Sequence, residues 1–361
     1  MTASTVTAPP LKELVSIQYL RAAAALGVVV WHAQGQVGIP ETQVLQAGIE
    51  IFFVISGYVM WLILGQRPTS PMVFLQKRLA RIVPLYWLLT SIMVVLLLVA
   101  PQLLQSTRFD LPHVIASYLF VAWPNPVETA GLKPVMIPGW TLNYEMAFYL
   151  LLAVGLTMKG AWRGPFVIGV LLVLAALSPL PMPPIAGFYV SPFMAELALG
   201  VGLAMVMPRL PKTWLNHGVA IFIAGVGLLI LGGSMIDADA HGRLVLLALP
   251  AVLIVGGLVA IEQAGRLPSI PVLKGVGDAS YPLYMIHPVL LSAMAQAMKL
   301  AGLTVSPWAY VAAAVVVTSI VGWFAHLWLE RPLIAAFRPR LRKPYPAPVP
   351  TLAAAPDQAR P

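Results

Sequence analysis

The chain contains no cysteine, and it is poor in charge: of 361 residues only 10% are Asp, Glu, Lys or Arg, against about 25% in an ordinary soluble domain. The first absence excludes disulfides, thiolate metal sites and thiol catalysis. The second excludes a water-soluble enzyme, because 59% of the residues are hydrophobic. The sequence also shows no internal repeat and no glycine-rich phosphate loop. An uncharged leader core is missing as well. The first apolar run carries Arg21 and His32 within it, so it reads as a retained span rather than a signal peptide. Chemistry must come from histidine, arginine and carboxylates, with no metal expected.

What the chain does have is long apolar runs, at about 14–34, 45–66, 80–100, 139–158, 163–180, 187–207, 214–235, 243–262, 279–302 and 306–329. A membrane span takes about 20 apolar residues. The expected fold is therefore all-α, a polytopic membrane protein of about ten transmembrane helices. Residues 1–13 form an N-terminal tail, 14–334 the membrane domain, and 335–361 a disordered proline-rich tail. Residues 101–138 form a long outer connection; its apolar stretch Val114 to Trp123 is too short to cross and is expected at the interface.

Orientation follows from the basic residues. With the N-terminus inside, 17 of the 22 Lys and Arg fall on the cytoplasmic side, four (Arg108, Lys133, Arg243 and Lys299) fall in outer loops, and Arg21 lies within the first helix. That bias places both termini in the cytoplasm. The formal charge of +9 is thus topogenic, facing anionic lipid, and needs no nucleic-acid partner.

Ionisable side chains in hydrocarbon cost about 2.5–3.5 kcal/mol each on insertion scales, so they usually face a cavity or a partner. The candidates are Arg21, His32, Glu50, Glu145, Glu196, His287 and His326. Arg21 and His32 are eleven residues apart, three helical turns, which puts them on one face about 16.5 Å apart. Both are expected to look into one cavity, Arg21 toward the cytoplasm and His32 toward the outer leaflet. Glu50 and Glu145 sit early in helices that enter from outside, which predicts the depth of His32. A carboxylate bonded to an imidazole fixes its tautomer, as a general base requires. Glu196, His287 and His326 read more simply as glue between helices. Arg78 and Arg81, one turn apart in "FLQKRLARIVPLYW", read either as a positive-inside anchor or as a phosphate grip.

The blocks "IQYLRAAAALGVVVWHA", "GIEIFFVISGYVM", "FLQKRLARIVPLYW", "PGWTLNYEMAFYLL", "SYPLYMIHPVLL" and "ERPL" occur in that order across residues 17 to 333. Together they resemble the signature blocks of the membrane acyltransferase-3 family, in its exopolysaccharide O-acetyltransferase branch. The resemblance implies a ten-helix enzyme of the bacterial inner membrane. Such an enzyme moves an acyl group, usually acetyl, from cytoplasmic acyl-CoA to a hydroxyl of a cell-surface saccharide or its lipid-linked precursor, beside polysaccharide assembly or export proteins.

Carried over residue by residue, the family's basic-residue-then-histidine pattern falls on Arg21 and His32, its acidic position on Glu50, and its basic cluster on Arg78 and Arg81. The "PGW" block falls on Trp140 and Glu145, and the "SYPLY..H" block on Ser280, Tyr281, Tyr284 and His287. Gln18 stands where many relatives carry aspartate, and Lys77 where they carry arginine. On this reading Arg21, Arg78 and Arg81 bind acetyl-CoA. His32, oriented by Glu50 or Glu145, acts as base or as an acyl-carrying nucleophile. Trp140, Tyr144, Tyr284 and His287 meet the acceptor. The competing readings are a saccharide or proton-coupled transporter, for which the repeated halves are missing, and a non-catalytic scaffold of an export complex.

Overall fold

The computed structural model describes residues 13–66, 69–104, 107–127, 131–235 and 240–337. The tails at 1–12 and 338–361, with the basic residues they carry, lie outside the described residues. Among the described residues the chain is all-helical, with no strand. The first half holds α1 (Val15–Gln36), α2 (Gly48–Gln66), α3 (Pro71–Val99), the short α4 (Leu111–Tyr118), α5 (Trp140–Gly155), α6 (Gly160–Ala176), the short α7 (Pro184–Tyr189) and α8 (Phe193–Val206). The second half holds α9 (Gly218–Met235), α10 (Ala240–Arg243), α11 (Leu249–Gln263), α12 (Pro271–Asp278), α13 (Ser280–Leu300), α14 (Pro307–Ala325) and α15 (Arg331–Phe337). Wider π turns, Leu244–Ala248 and His326–Glu330, join α10 to α11 and α14 to α15.

Among the described residues, six helical stretches are long and apolar enough to cross a membrane, including Pro71–Val99, Lys212–Met235 and Leu244–Gln263. The chain is thus a membrane protein. α1 and α13 are long enough but diluted by Gln18, Arg21, His32 and Gln34 in one and by His287, Gln296 and Lys299 in the other. α5 and α6, at 16 and 17 residues, are short for a span.

Helix boundaries follow capping chemistry. α3 starts nine residues before the expected run, because Ser70 accepts from the Val73 amide at 3.3 Å and Pro71 suits the first turn. That extension brings Lys77 and Arg78 inside the helix with Arg81. The N-terminus of α1 is capped from a distance: the Glu262 carboxylate of α11 accepts from the amides of Val15 (2.9 Å) and Ser16 (2.8 Å). A negative charge there complements the helix dipole. The expected helix over 187–207 is broken at Val190–Pro192, and the last one continues through its π turn to Phe337. The stretch expected at the interface forms α4 with only eight residues, held against α3 by Trp87 Nε1–H donating to Tyr118 O at 2.9 Å and Tyr86 O–H to Ser117 O at 3.2 Å.

The helices around the centre meet through small residues, which lets backbones approach where no hydrophobic effect drives association. A Cβ on Gly57 of α2 would lie 2.2 Å from Leu197 O of α8, and one on Gly200 would lie 2.1 Å from Val54 O. A Cβ on Gly277 of α12 would lie 2.0 Å from Gln18 O of α1. These contacts fix α1, α2 and α8 around the polar interior.

Candidate active site

A cavity of about 460 Å³ lies among α1, α2, α3, α5 and α13, within the range of small-molecule sites. Arg21, Arg78 and Arg81 line it, as do Glu145, Ser280, Tyr281 and Tyr284. Helical spacing puts Arg78 and Arg81 on one face of α3. Arg21 Nε–H donates to Ser280 Oγ at 3.1 Å, which turns the rest of its guanidinium to the cavity. The Tyr281 hydroxyl donates to Ile82 O at 2.8 Å and ties α13 to α3. Glu145 lines the same cavity and acts electrostatically on Arg21 and Arg78; its Oε1 accepts from the Tyr149 hydroxyl one turn on and from Ser56 Oγ at 3.3 Å. Glu13 stands at the edge of the same cavity.

His32 sits elsewhere than expected: it does not line this cavity. The cavity reaches Tyr284, whose ring centroid is 5.6 Å from that of His287, and His287 in turn lies 5.0 Å from His32. Arg21 and His32 are therefore connected through two side chains of α13 rather than by one open space. The expected carboxylate support for His32 is also corrected. Its Nδ1 faces Val28 O of its own helix at 2.9 Å, and neither Glu50 nor Glu145 bonds to it. Glu145 bonds instead to Tyr149 and Ser56. Glu50, fully buried, forms an ion pair with Arg243, which also donates to Gln46 Oε1 at 2.9 Å. Glu196 is buried in the same charged neighbourhood.

The imidazole geometry sets the tautomer of two rings. A carbonyl oxygen only accepts, so the contacts of His32 Nδ1 with Val28 O and of His287 Nδ1 with Tyr284 O (2.6 Å) require the proton on Nδ1 in both rings. Each Nε2 then carries a lone pair when the ring is neutral. Backbone carbonyls do here what a carboxylate was expected to do.

The aromatic residues divide. Tyr144 is buried, its hydroxyl donating to Phe188 O at 2.6 Å and its ring stacked on Phe188; it belongs to a packed cluster with Phe53 and Phe193. Trp140 touches the same cluster but stays partly exposed. Glu330 escaped the sequence reading except as a letter of "ERPL". It is 1% exposed, accepts from or shares a proton with His326 Nδ1 at 2.6 Å, and acts electrostatically on Arg21. His326 is thus occupied by its own π turn.

The described residues thus hold, within one helical bundle, a cavity lined by three guanidiniums and a carboxylate and, beyond Tyr284, the imidazoles of His287 and His32. The sequence comparison specifies the class: residues 14–327 match the acyltransferase domain described as Acyl_transf_3, and the chain belongs to that family. Among curated relatives it is similar to the exopolysaccharide production protein ExoZ of Rhizobium meliloti, 35% identical over 301 residues, covering 81% of this chain and 91% of the relative. It is also similar to acyltransferase MdmB of Streptomyces mycarofaciens, 25% identical over 399 residues, covering 94% and 97%. No solved structure gives a significant match.

Proposed function

We propose that this acyltransferase takes acetyl from acetyl-CoA supplied by the cytoplasm and delivers it to a hydroxyl of a cell-surface saccharide or its lipid-linked precursor. The setting is a ten-span fold in the bacterial inner membrane with both termini inside. The observation that carries the reading is the lining of one cavity by Arg21, Arg78 and Arg81, joined through Tyr284 and His287 to the imidazole of His32. Guanidiniums bind phosphates through paired, charge-assisted hydrogen bonds, which suits the anionic end of coenzyme A. The name of ExoZ points the acceptor toward exopolysaccharide.

In this mechanism the Nε2 lone pair of His32 removes the proton from the acceptor hydroxyl. The oxygen attacks the thioester carbonyl carbon and the carbon–sulfur bond breaks. The departing sulfur takes the proton back, giving the acyl ester and free coenzyme A thiol. Val28 O holds the imidazole in the required tautomer throughout. Glu145 keeps the guanidiniums in register, and Trp140, still partly exposed, offers a face to the sugar.

The test uses protein purified in detergent, labelled acetyl-CoA and a saccharide or lipid-linked sugar fraction. Label should pass to saccharide with the wild type and fail to pass with His32→Ala at equal protein yield. Uptake of saccharide into vesicles without acyl transfer would overturn the proposal in favour of a transporter.

A further inference from the structure

His287 belongs to a block read at first as acceptor contact or helix glue, yet its surroundings give it a sharper task. It is 1% exposed, and its Nε2 has no hydrogen-bond partner among the described residues. A buried acceptor without a donor is costly to keep, so its persistence marks a place where a donor arrives during function. Its ring lies 5.0 Å from that of His32 at an interplanar angle of 60°. Both Nδ1 atoms are committed to main-chain carbonyls, so two lone pairs on Nε2 are available in one small volume. Two neutral acceptors repel; one proton between them turns the pair attractive.

We propose that His32 and His287 form a proton-sharing dyad, in which His287 is the positioning residue that stabilises the imidazolium of His32. The inference rests on the acyl-transfer reading above. When the acceptor O–H gives its proton to His32 Nε2, that N–H hydrogen-bonds to His287 Nε2. When the carbon–sulfur bond breaks, the proton leaves for the thiolate sulfur, and both rings return to their neutral forms. No further reactant is needed. His287 also lies on the cavity side of His32, against Tyr284, so the proton is held toward the donor.

Glutamine at position 287 can place an acceptor near the former Nε2, whereas phenylalanine fills the space without one. A packing role favours phenylalanine; proton sharing favours glutamine. With acetyl-CoA and a saccharide acceptor, His287→Phe is expected to lower kcat by about 10²-fold or more with the KM for acetyl-CoA unchanged. His287→Gln should keep at least about tenfold more kcat than His287→Phe. Equal or reversed ranking, or a wild-type kcat in both, would overturn the dyad while leaving acyl transfer intact. Should His287→Phe fail to accumulate in membranes, His287→Leu carries the same comparison. Absence of transfer by the wild type itself would instead contradict the acyltransferase reading on which the dyad depends.

Discussion

Arg243, the last residue of α10, reaches to the buried carboxylate of Glu50 on α2, and the two form an ion pair. Leaving one charge of a buried pair without its partner costs about 3–5 kcal/mol, while replacing both by apolar residues is often neutral. Arg243→Met and Glu50→Leu should each lower thermal stability in detergent sharply, and the double variant should recover much of the loss. An additive double variant would show that the pair contributes nothing as a pair.

The contact of α2 with α8 makes a second demand. Because a Cβ at Gly57 or Gly200 would sit about 2 Å from a carbonyl of the opposite helix, the helices must separate to admit it. Overpacking of this kind costs about 1–3 kcal/mol. Gly57→Ala and Gly200→Ala should lower the melting temperature, whereas Gly202→Ala, with open space around its Cβ, should leave it unchanged.

The arginines and the imidazole should separate kinetically. Hydrogen bonds to charged groups contribute about 1.5–3 kcal/mol, so Arg78→Ala or Arg81→Ala should raise the KM for acetyl-CoA about 10- to 150-fold, with a smaller effect on kcat. Steady-state kinetics at low and high salt would check this. The salt dependence should be weaker in the variants, because fewer charges hold the phosphates.

On α12, Lys274 donates to Asp278 at 2.9 Å and pairs with Glu13 at 2.9 Å. The bonds to Asp278 and to Glu13 raise the pKa of Lys274 above its ordinary value. A raised folded-state pKa contributes stability that is fully present below the unfolded value, about pH 10, and is lost only as pH rises through the folded value. Activity loss between pH 6 and 8 should therefore be the same in Lys274→Ala as in the wild type. A changed profile in that window would assign the cluster a functional role.

Much of the fold is legible in apolar run length alone, since each long helix falls on an apolar segment of the sequence. The errors are local and have causes. The start of α3 is hidden because Lys77 and Arg78 break the hydropathy that marks a span, although Ser70 and Pro71 announce the cap. The convergence of Arg21, Arg78 and Arg81 is readable from their depth and charge, but that of Glu145 with them is not, since its depth pointed to His32 and it lines the arginine cavity instead. Nor are the surroundings of His32. Depth along an axis does not say which way a side chain faces around it, so Glu50 at a suitable level turned to Arg243 instead. Arg243 itself was counted as a loop charge, because nothing in a linear sequence distinguishes a topogenic arginine from one that reaches back to a buried carboxylate. Glu330 went unweighed for a similar reason: the π turn that buries it beside His326 has no periodic signature.

The most direct test of the central claim is a structure of the protein with a non-hydrolysable acetyl-CoA analogue. The account predicts the phosphates against Arg78 and Arg81, the pantetheine arm passing Arg21 and Tyr284, and the thioester carbon within reach of His32 Nε2. An analogue bound outside this cavity, or with its sulfur end directed away from His32 and His287, would contradict it.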